Sequence, residues 1–242
     1  LKKPKSVIAA LTDELRRDIS LGVIKPGDKL NIESLKRDHS VSHPSVREAL
    51  SMLVGEGYVC FEESKGFRVQ QLSKAAMQDT IRVRAELEAL AFEWAVSRSN
   101  LDWRSKIVAA HYALSEVEDQ MIKDSHNTVL EWDARNREFH MMISANCGSQ
   151  KLIDLIEQQY DQSRRFRLMA HADSRSETSR MRWVRKSGEE HKALKDAVLA
   201  GDVKAGRDIL RKHITKAPLH AVSGAADDSQ DIQSNQEIQS RA

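Results

Sequence analysis

Between positions 6 and 21 the apolar residues Ile8, Leu11, Leu15 and Ile19 recur at spacings of three and four, opposite Asp13, Glu14, Arg16 and Arg17. That period places one apolar stripe along an α-helix. Gly22 and the Lys25-Pro26-Gly27-Asp28 turn end it. Asn31 is placed to cap a short second helix carrying Ile32, Leu35 and Lys36, which His39-Ser40-Val41-Ser42 breaks. A third helix starts around His43-Pro44, with proline tolerated in a first turn, and presents Val46, Ala49, Leu50 and Leu53 inward until Gly55-Glu56-Gly57. The period then switches to that of strands: Tyr58-Val59-Cys60-Phe61 and Phe67-Arg68-Val69 flank a glycine-bearing loop and read as a hairpin. Three short helices followed by a hairpin describe a winged helix-turn-helix.

Beyond Gln70 the helical period returns and persists. Segments near 74–98, 102–123, 127–146, 149–171, 177–200 and 202–217 each carry an apolar face, and Asn100, Gly148 and Gly201 punctuate them. Six helices on short connections predict an antiparallel bundle with its own core. The stretch from Ser223 onward is small, polar and acidic, and is expected to be disordered. The fold expected is therefore mainly α: a winged helix-turn-helix over 1–72, an all-helical unit over 73–220 and a tail over 221–242.

Composition agrees. The 242 residues include only 10 glycines and 4 prolines, and aromatics make up 5%, which argues against a β-sandwich or barrel. No apolar run is long enough to span a bilayer, and no apolar core follows Leu1-Lys2-Lys3-Pro4-Lys5, so neither a membrane anchor nor a secretion signal is expected. Cys60 and Cys147 form no CxxC pair or disulfide framework, which suits a reducing cytoplasm.

The third helix has the character of a DNA reader. Ser42, His43, Ser45 and Arg47 face outward at its start, and Arg47 can bind a phosphate or fork onto a guanine edge. Lys65 and Gly66 at the hairpin tip offer a cation and a backbone able to approach a minor groove, and Lys36 and Arg37 are candidate backbone contacts. Charge does not make this case: residues 1–72 hold 12 Lys+Arg against 10 Asp+Glu.

The second unit carries three histidines on three different helices, His140, His191 and His213, with Asn136 one turn before His140 on the same face. Bundles build metal centres by gathering imidazoles in this way, although histidines so far apart in sequence need not meet.

In its first seventy residues the chain resembles the DNA-binding domain of the GntR family of bacterial transcription regulators. The resemblance is carried by Ile24-Lys25-Pro26-Gly27-Asp28-Lys29-Leu30, Leu35, Val41-Ser42-His43-Pro44-Ser45-Val46-Arg47-Glu48-Ala49-Leu50, Leu53, Gly57, Val59, Gly66 and Val69. It departs from the family where His43 stands for arginine and Pro44-Ser45 for Thr-Pro, which weakens the contact expected from His43. The helical unit is similar to the FCD ligand-binding domain of the FadR-like subfamily, through Arg84-Ala85-Glu86-Leu87-Glu88, Asn136-Arg137-Glu138-Phe139-His140, Asn146, Glu190-His191, Ala197, Gly201-Asp202 and Arg211-Lys212-His213.

That second resemblance implies a divalent transition metal, zinc or nickel foremost, held by His140, His191, His213 and Asn136, the last a poorer ligand than the aspartate it can replace. Three neutral imidazoles leave the ion's charge uncompensated and its coordination open, and a small carboxylate effector would satisfy both. Arg84 matches the family's pocket arginine. Arg164 and Arg167 come from a segment, 162–186, with eight Lys+Arg against two acids. Family membership also implies a homodimer on a pseudo-palindromic operator in double-stranded DNA. The expected activity is that of a regulator and not an enzyme. A metal-dependent hydrolase and a purely structural metal bundle remain the alternatives, the first opposed by the missing HExxH and by Glu190 pointing off the ligand face.

Overall fold

The structure, a computed structural model, describes residues 6–71, 73–172 and 177–216. The expected tail over 221–242 lies outside the described residues. The head contains α1 (Val7–Ser20), α2 (Ile32–Asp38), α3 (His43–Gly55), β1 (Val59–Glu62) and β2 (Gly66–Val69). Six long helices follow: α4 (Lys74–Ser97), α5 (Leu101–Lys123), α6 (Ser125–Ser144), α7 (Gln150–Ala172), α8 (Glu177–Ala200) and α9 (Val203–Lys216).

Asn31 caps α2 as expected, and Ser42 supplies a further cap to α3. The Asn31 side chain accepts from the backbone amides of Glu33 and Ser34. The Ser42 hydroxyl accepts from the Ser45 amide, with Pro44 in the first turn. Such caps satisfy amide donors that the first helical turn leaves without partners. Leu11, Leu15 and Ile19 of α1 pack with Val46, Ala49, Leu50 and Leu53 of α3 and with Tyr58, Val59, Phe67 and Val69 of the hairpin.

The hairpin is antiparallel, pairing Val59 with Val69 and Glu62 with Gly66, and Gly66 turns the chain at φ +76°. One feature exceeds the sequence reading. Residues 27–30, which begin inside the turn expected over Lys25–Asp28, run beside β2: Leu30 donates to the Phe67 carbonyl, Val69 donates to that of Asp28, and Lys29 bridges to Arg68. The wing is thus braced along its inner edge, which periodicity over so few residues cannot reveal.

A second, separate core fills the helical unit, including Met77, Phe92, Trp103, Leu114, Trp132, Phe139, Ile156, Leu194 and Leu210. Helix α4 packs against α9, α7 and α6, while α5 packs against α6 and α8. Helix α6 begins two residues before its expected start, separated from α5 only by Asp124, whose backbone amide still donates to the Gln120 carbonyl. The head meets the bundle where α1 contacts α7.

Candidate metal centre and nucleic-acid interface

In the head, Val46, Ala49 and Leu50 are fully buried, which turns Arg47 outward on α3. Among the described residues no ion pair occupies Arg47. The other candidates have local partners: Lys36 lies 3.4 Å from Glu33, Arg37 3.2 Å from Asp38, and Lys65 2.8 Å from Glu62. His43 stands 3.9 Å from the same Glu33, and the Ser42 and Ser45 hydroxyls are 2.8 Å apart. These exposed pairs are weak and can be exchanged for phosphate. Gly66 sits at the wing turn beside Lys65.

In the bundle, α6, α8 and α9 bring His140, His191 and His213 together. Candidate ligand nitrogens of the three rings all lie within 4.8 Å of one another. His191 Nε2 and His213 Nε2 are 3.2 Å apart, close to the separation of about 3.3 Å between nitrogens sharing a tetrahedral zinc. His140 and His191 are fully buried and His213 is 9% exposed, at the rim. Phe139 sets its ring edge-on to His140, His191 and His111, filling the space behind them.

Each imidazole is held from outside. His140 Nδ1 lies 2.6 Å from Glu88 Oε2, His191 Nδ1 2.7 Å from Glu118 Oε1, and His213 Nδ1 2.8 Å from Glu190 Oε2. A carboxylate at Nδ1 leaves Nε2 available to an ion. His140 Nε2 and Asn136 Oδ1 are both buried without a hydrogen-bond partner, and such orphans are costly unless something unseen satisfies them. Three converging imidazole nitrogens fit a divalent transition metal, and the unpartnered amide oxygen of Asn136, one helical turn before His140, has the chemistry of a fourth donor.

Burial shifts the charges here. It pushes His140 and His191 well below the ordinary histidine range, so both rings are neutral, the form that binds metals. Burial alone would raise Glu88, but the guanidinium of Arg84 and the contact with His140 outweigh it and hold the carboxyl below its usual value. Glu118 is pushed up by burial to about 7. Glu190 sits low because its contact with His213 overcomes the cost of its partial burial.

The three expected effector arginines are already engaged, Arg84 against the carboxylate that holds His140 and the other two against Asp133. Arg84 donates from Nε to Glu88 at 2.6 Å and from Nη1 to the Ser163 hydroxyl at 3.2 Å. Arg167 donates to Ser163 at 2.8 Å and to Asp133 at 3.1 Å, and Arg164 donates to the other oxygen of Asp133 at 2.5 Å. The guanidinium carbons of Arg84 and Arg167 stand 4.2 and 4.0 Å from the Tyr160 ring centroid. The Tyr160 hydroxyl accepts from Asn136 Nδ2 at 2.6 Å.

The sequence reading left the ion's charge to be balanced from outside. The chain itself places three carboxylates one imidazole away. Glu118 and Tyr160 carry no signal in the sequence because their partners lie on other helices, while Asp133, one helical turn before Asn136, is engaged by Arg164 and Arg167 of α7. Glu88 was legible as an opposite charge four residues after Arg84. Glu190 does point off the ligand face of α8, and there it meets His213 of α9.

Comparison with known proteins agrees with this architecture. Residues 8–69 match the family described as bacterial regulatory proteins, gntR family, and residues 79–216 match the FCD domain. The regulator BphR of Paraburkholderia xenovorans (strain LB400) is 32% identical over 87% of this chain and 83% of its own. The transcriptional repressor GlaR of Escherichia coli (strain K12) is 31% identical over 85% of this chain and 91% of its own. The solved structure of E. coli McbR/YncC superposes with a TM-score of 0.68 at 20% identity, covering 97% of this chain and all (100%) of that one, a likeness of fold. Among the described residues no helix is long and apolar enough to cross a membrane. With a winged head and an FCD bundle matched across nearly all of its described length, the chain belongs to the GntR family of bacterial transcription regulators, not to a family of enzymes.

Proposed function

We propose that this regulator binds a pseudo-palindromic operator as a homodimer, in the cytoplasm, and that its operator affinity is set by a small organic acid received at a metal centre in the bundle. Residues 1–72 form the reading unit and 73–220 the sensing and dimerising unit. The observation that carries the sensing half is the buried, unpartnered His140 Nε2 turned toward two more imidazoles from other helices. His140, His191, His213 and Asn136 would hold a divalent zinc or nickel ion, which would supply a Lewis-acidic site for a carboxylate oxygen.

Arg84, Arg164 and Arg167 are the basic partners of that acid. Glu88 and Asp133 already occupy them, so an entering carboxylate exchanges with a carboxylate of the chain. Exchange at Asp133 loosens α6 from α7, and α7 is the helix that α1 of the head rests on. The relative placement of two heads then changes, and with it the fit to two half-sites. The relative GlaR is named a repressor, which favours release from DNA as the response.

The reading head rests on Arg47 and the Lys65-Gly66 tip, with Ser42, His43, Ser45, Lys36 and Arg37 around them. The test is operator affinity, on duplexes selected from a random library, with and without added zinc and a panel of small mono- and dicarboxylic acids. A change with metal or acid supports the reading, and the acid must then bind more weakly or more tightly to the DNA complex by the same factor. Stoichiometric metal with no change in operator affinity would leave a structural metal bundle instead.

A further inference from the structure

Nothing in the family assignment says why the three imidazoles present the same nitrogen to a common point. We propose that Glu88, Glu118 and Glu190 are the positioning residues of the metal centre, one for each ligand, and that they determine its affinity and geometry without touching the ion. This rests on the metal reading of the bundle.

An imidazole offers two nitrogens to a metal, and a ring free to turn by a half rotation would offer either. Here all three rings are locked the same way round, with Nδ1 against a carboxylate at 2.6, 2.7 and 2.8 Å. The carboxylates come from three different helices: Glu88 from α4, Glu118 from α5 and Glu190 from α8. None shares a helix with the histidine it holds. A register shift between any of these helix pairs would therefore release a ring, so the arrangement is specified by the tertiary packing.

Each carboxylate is fixed in turn. Arg84 donates to Glu88 from Nε, using the second carboxylate oxygen, and this makes Arg84 a support of His140 at one remove. Glu118 lies against Gly188 on α8, where a Cβ would stand 3.0 Å from Glu118 Oε2. Any larger residue at 188 crowds the carboxylate that holds His191, three residues further on. Glu190 is drawn toward Lys216, whose Nζ lies 3.9 Å from its other oxygen. An ionised acceptor at Nδ1 also makes the opposite nitrogen a better electron donor, so the outer groups tune the strength of the ligand as well as its direction.

Cobalt(II) titration of the full-length protein, followed by visible absorption and by chelator competition, tests the proposal. Glu190 is the partly exposed member, so its variants are expected to fold. Glu190→Ala should weaken cobalt binding about 10- to 100-fold and alter the ligand-field band, whereas Glu190→Gln, whose amide oxygen still accepts from Nδ1–H, should recover most of both. Glu118→Gln should behave as Glu190→Gln does. Wild-type affinity and an unchanged band in Glu190→Ala would overturn the proposal.

A second measurement does not depend on the ion. Nitrogen-15 shifts of the metal-free protein should show His140 as the Nδ1–H tautomer, and the Nε2–H form would overturn the role of Glu88. If the wild-type protein takes up no cobalt while His140 is still Nδ1–H, the metal reading fails and the carboxylate's hold on the ring stands.

Discussion

The Tyr58 hydroxyl, at the base of the wing, donates to the backbone carbonyl of Asp161 on α7 at 3.1 Å, joining residues 103 apart in sequence. Its neighbour Tyr160 accepts from Asn136, a candidate metal ligand, and the Asp161 carboxylate receives Arg137 Nε at 3.1 Å. Adjacent residues on one helix thus face the candidate centre and the DNA-reading head. Tyr58→Phe removes this bond while keeping the ring in its buried place. The expected cost to stability is about 0.5–1.5 kcal/mol. The larger expected effect is on coupling: zinc should change operator affinity less in the variant than in the wild type, as read by fluorescence anisotropy of labelled operator.

Arg47→Ala should remove specific DNA binding without disturbing the fold, because the side chain is exposed on a helix whose opposite face is fully buried. A loss of about 1–3 kcal/mol, roughly 5- to 150-fold, is expected for selected operator duplex. The unfolding midpoint and metal uptake should match the wild type. Unchanged discrimination between operator and random duplex would remove Arg47 from the reading set.

Metal should stabilise the folded chain, and His213 should be required for it. At a free zinc concentration a hundred times Kd the gain is about 2.7 kcal/mol. His213→Ala leaves two imidazoles and removes a ring at the rim of the core, so it should abolish this gain in thermal unfolding. Native mass spectrometry of the same samples counts the ion directly.

Metal uptake should also release a proton near neutral pH. Glu118 is pushed up by burial to about 7, from an ordinary value of 4.5. Below that point its protonated carboxyl can donate to His191 Nδ1, His191 Nε2–H can donate to His213 Nε2, and His213 Nδ1–H to Glu190, a chain that accounts for the 3.2 Å contact between the two rings. The sign follows from the raised value. The folded metal-free protein holds this proton between pH 4.5 and about 7 while the unfolded chain does not, so this group's contribution to stability falls as pH rises through that window and is level above it. An ion at Nε2 requires the proton to leave. Calorimetric titrations at pH 6 in buffers of different ionisation heat should report about one proton released, declining toward zero above pH 8.

Gly206 sets the approach of α9 to α4. A Cβ there would lie 2.0 Å from Phe92 Cζ, a clash with a fully buried ring. Gly206→Ala should destabilise the bundle by about 1–3 kcal/mol in urea unfolding despite its better helix propensity. Combining it with Phe92→Leu should recover part of the loss, since the two positions touch.

The elements themselves were legible. Spacings of three and four over Ile8–Ile19 and over the six later segments gave the helices to within a few residues, and the change of period after Gly57 gave the wing. The brace at residues 27–30 was not legible, because a few residues beside a strand carry no period. At the candidate centre, the three histidines and Asn136 could be named as a set through the resemblance to the FCD domain, since residue types on separate helices do not say which side chains will meet. Their outer partners could not: the spacing of Glu88 from Arg84, one helical turn, foretells that ion pair and not the contact with His140. The engagement of Arg164 and Arg167 by Asp133 was equally hidden, since a basic run in sequence says nothing of which acid on another helix faces it.

Hydrophobic period is a local property, fixed by which residues share one side of a single helix, and so the chain alone determined its helices, its hairpin and the helices on which candidate ligands stand. Which side chains meet depends on the rotation and height of one helix against another, and those are decided by how whole apolar faces interlock. His140 reaches Glu88 across 52 residues and His191 reaches Glu118 across 73. Only the packed bundle made these neighbours, and with them it chose the nitrogen that each histidine turns inward.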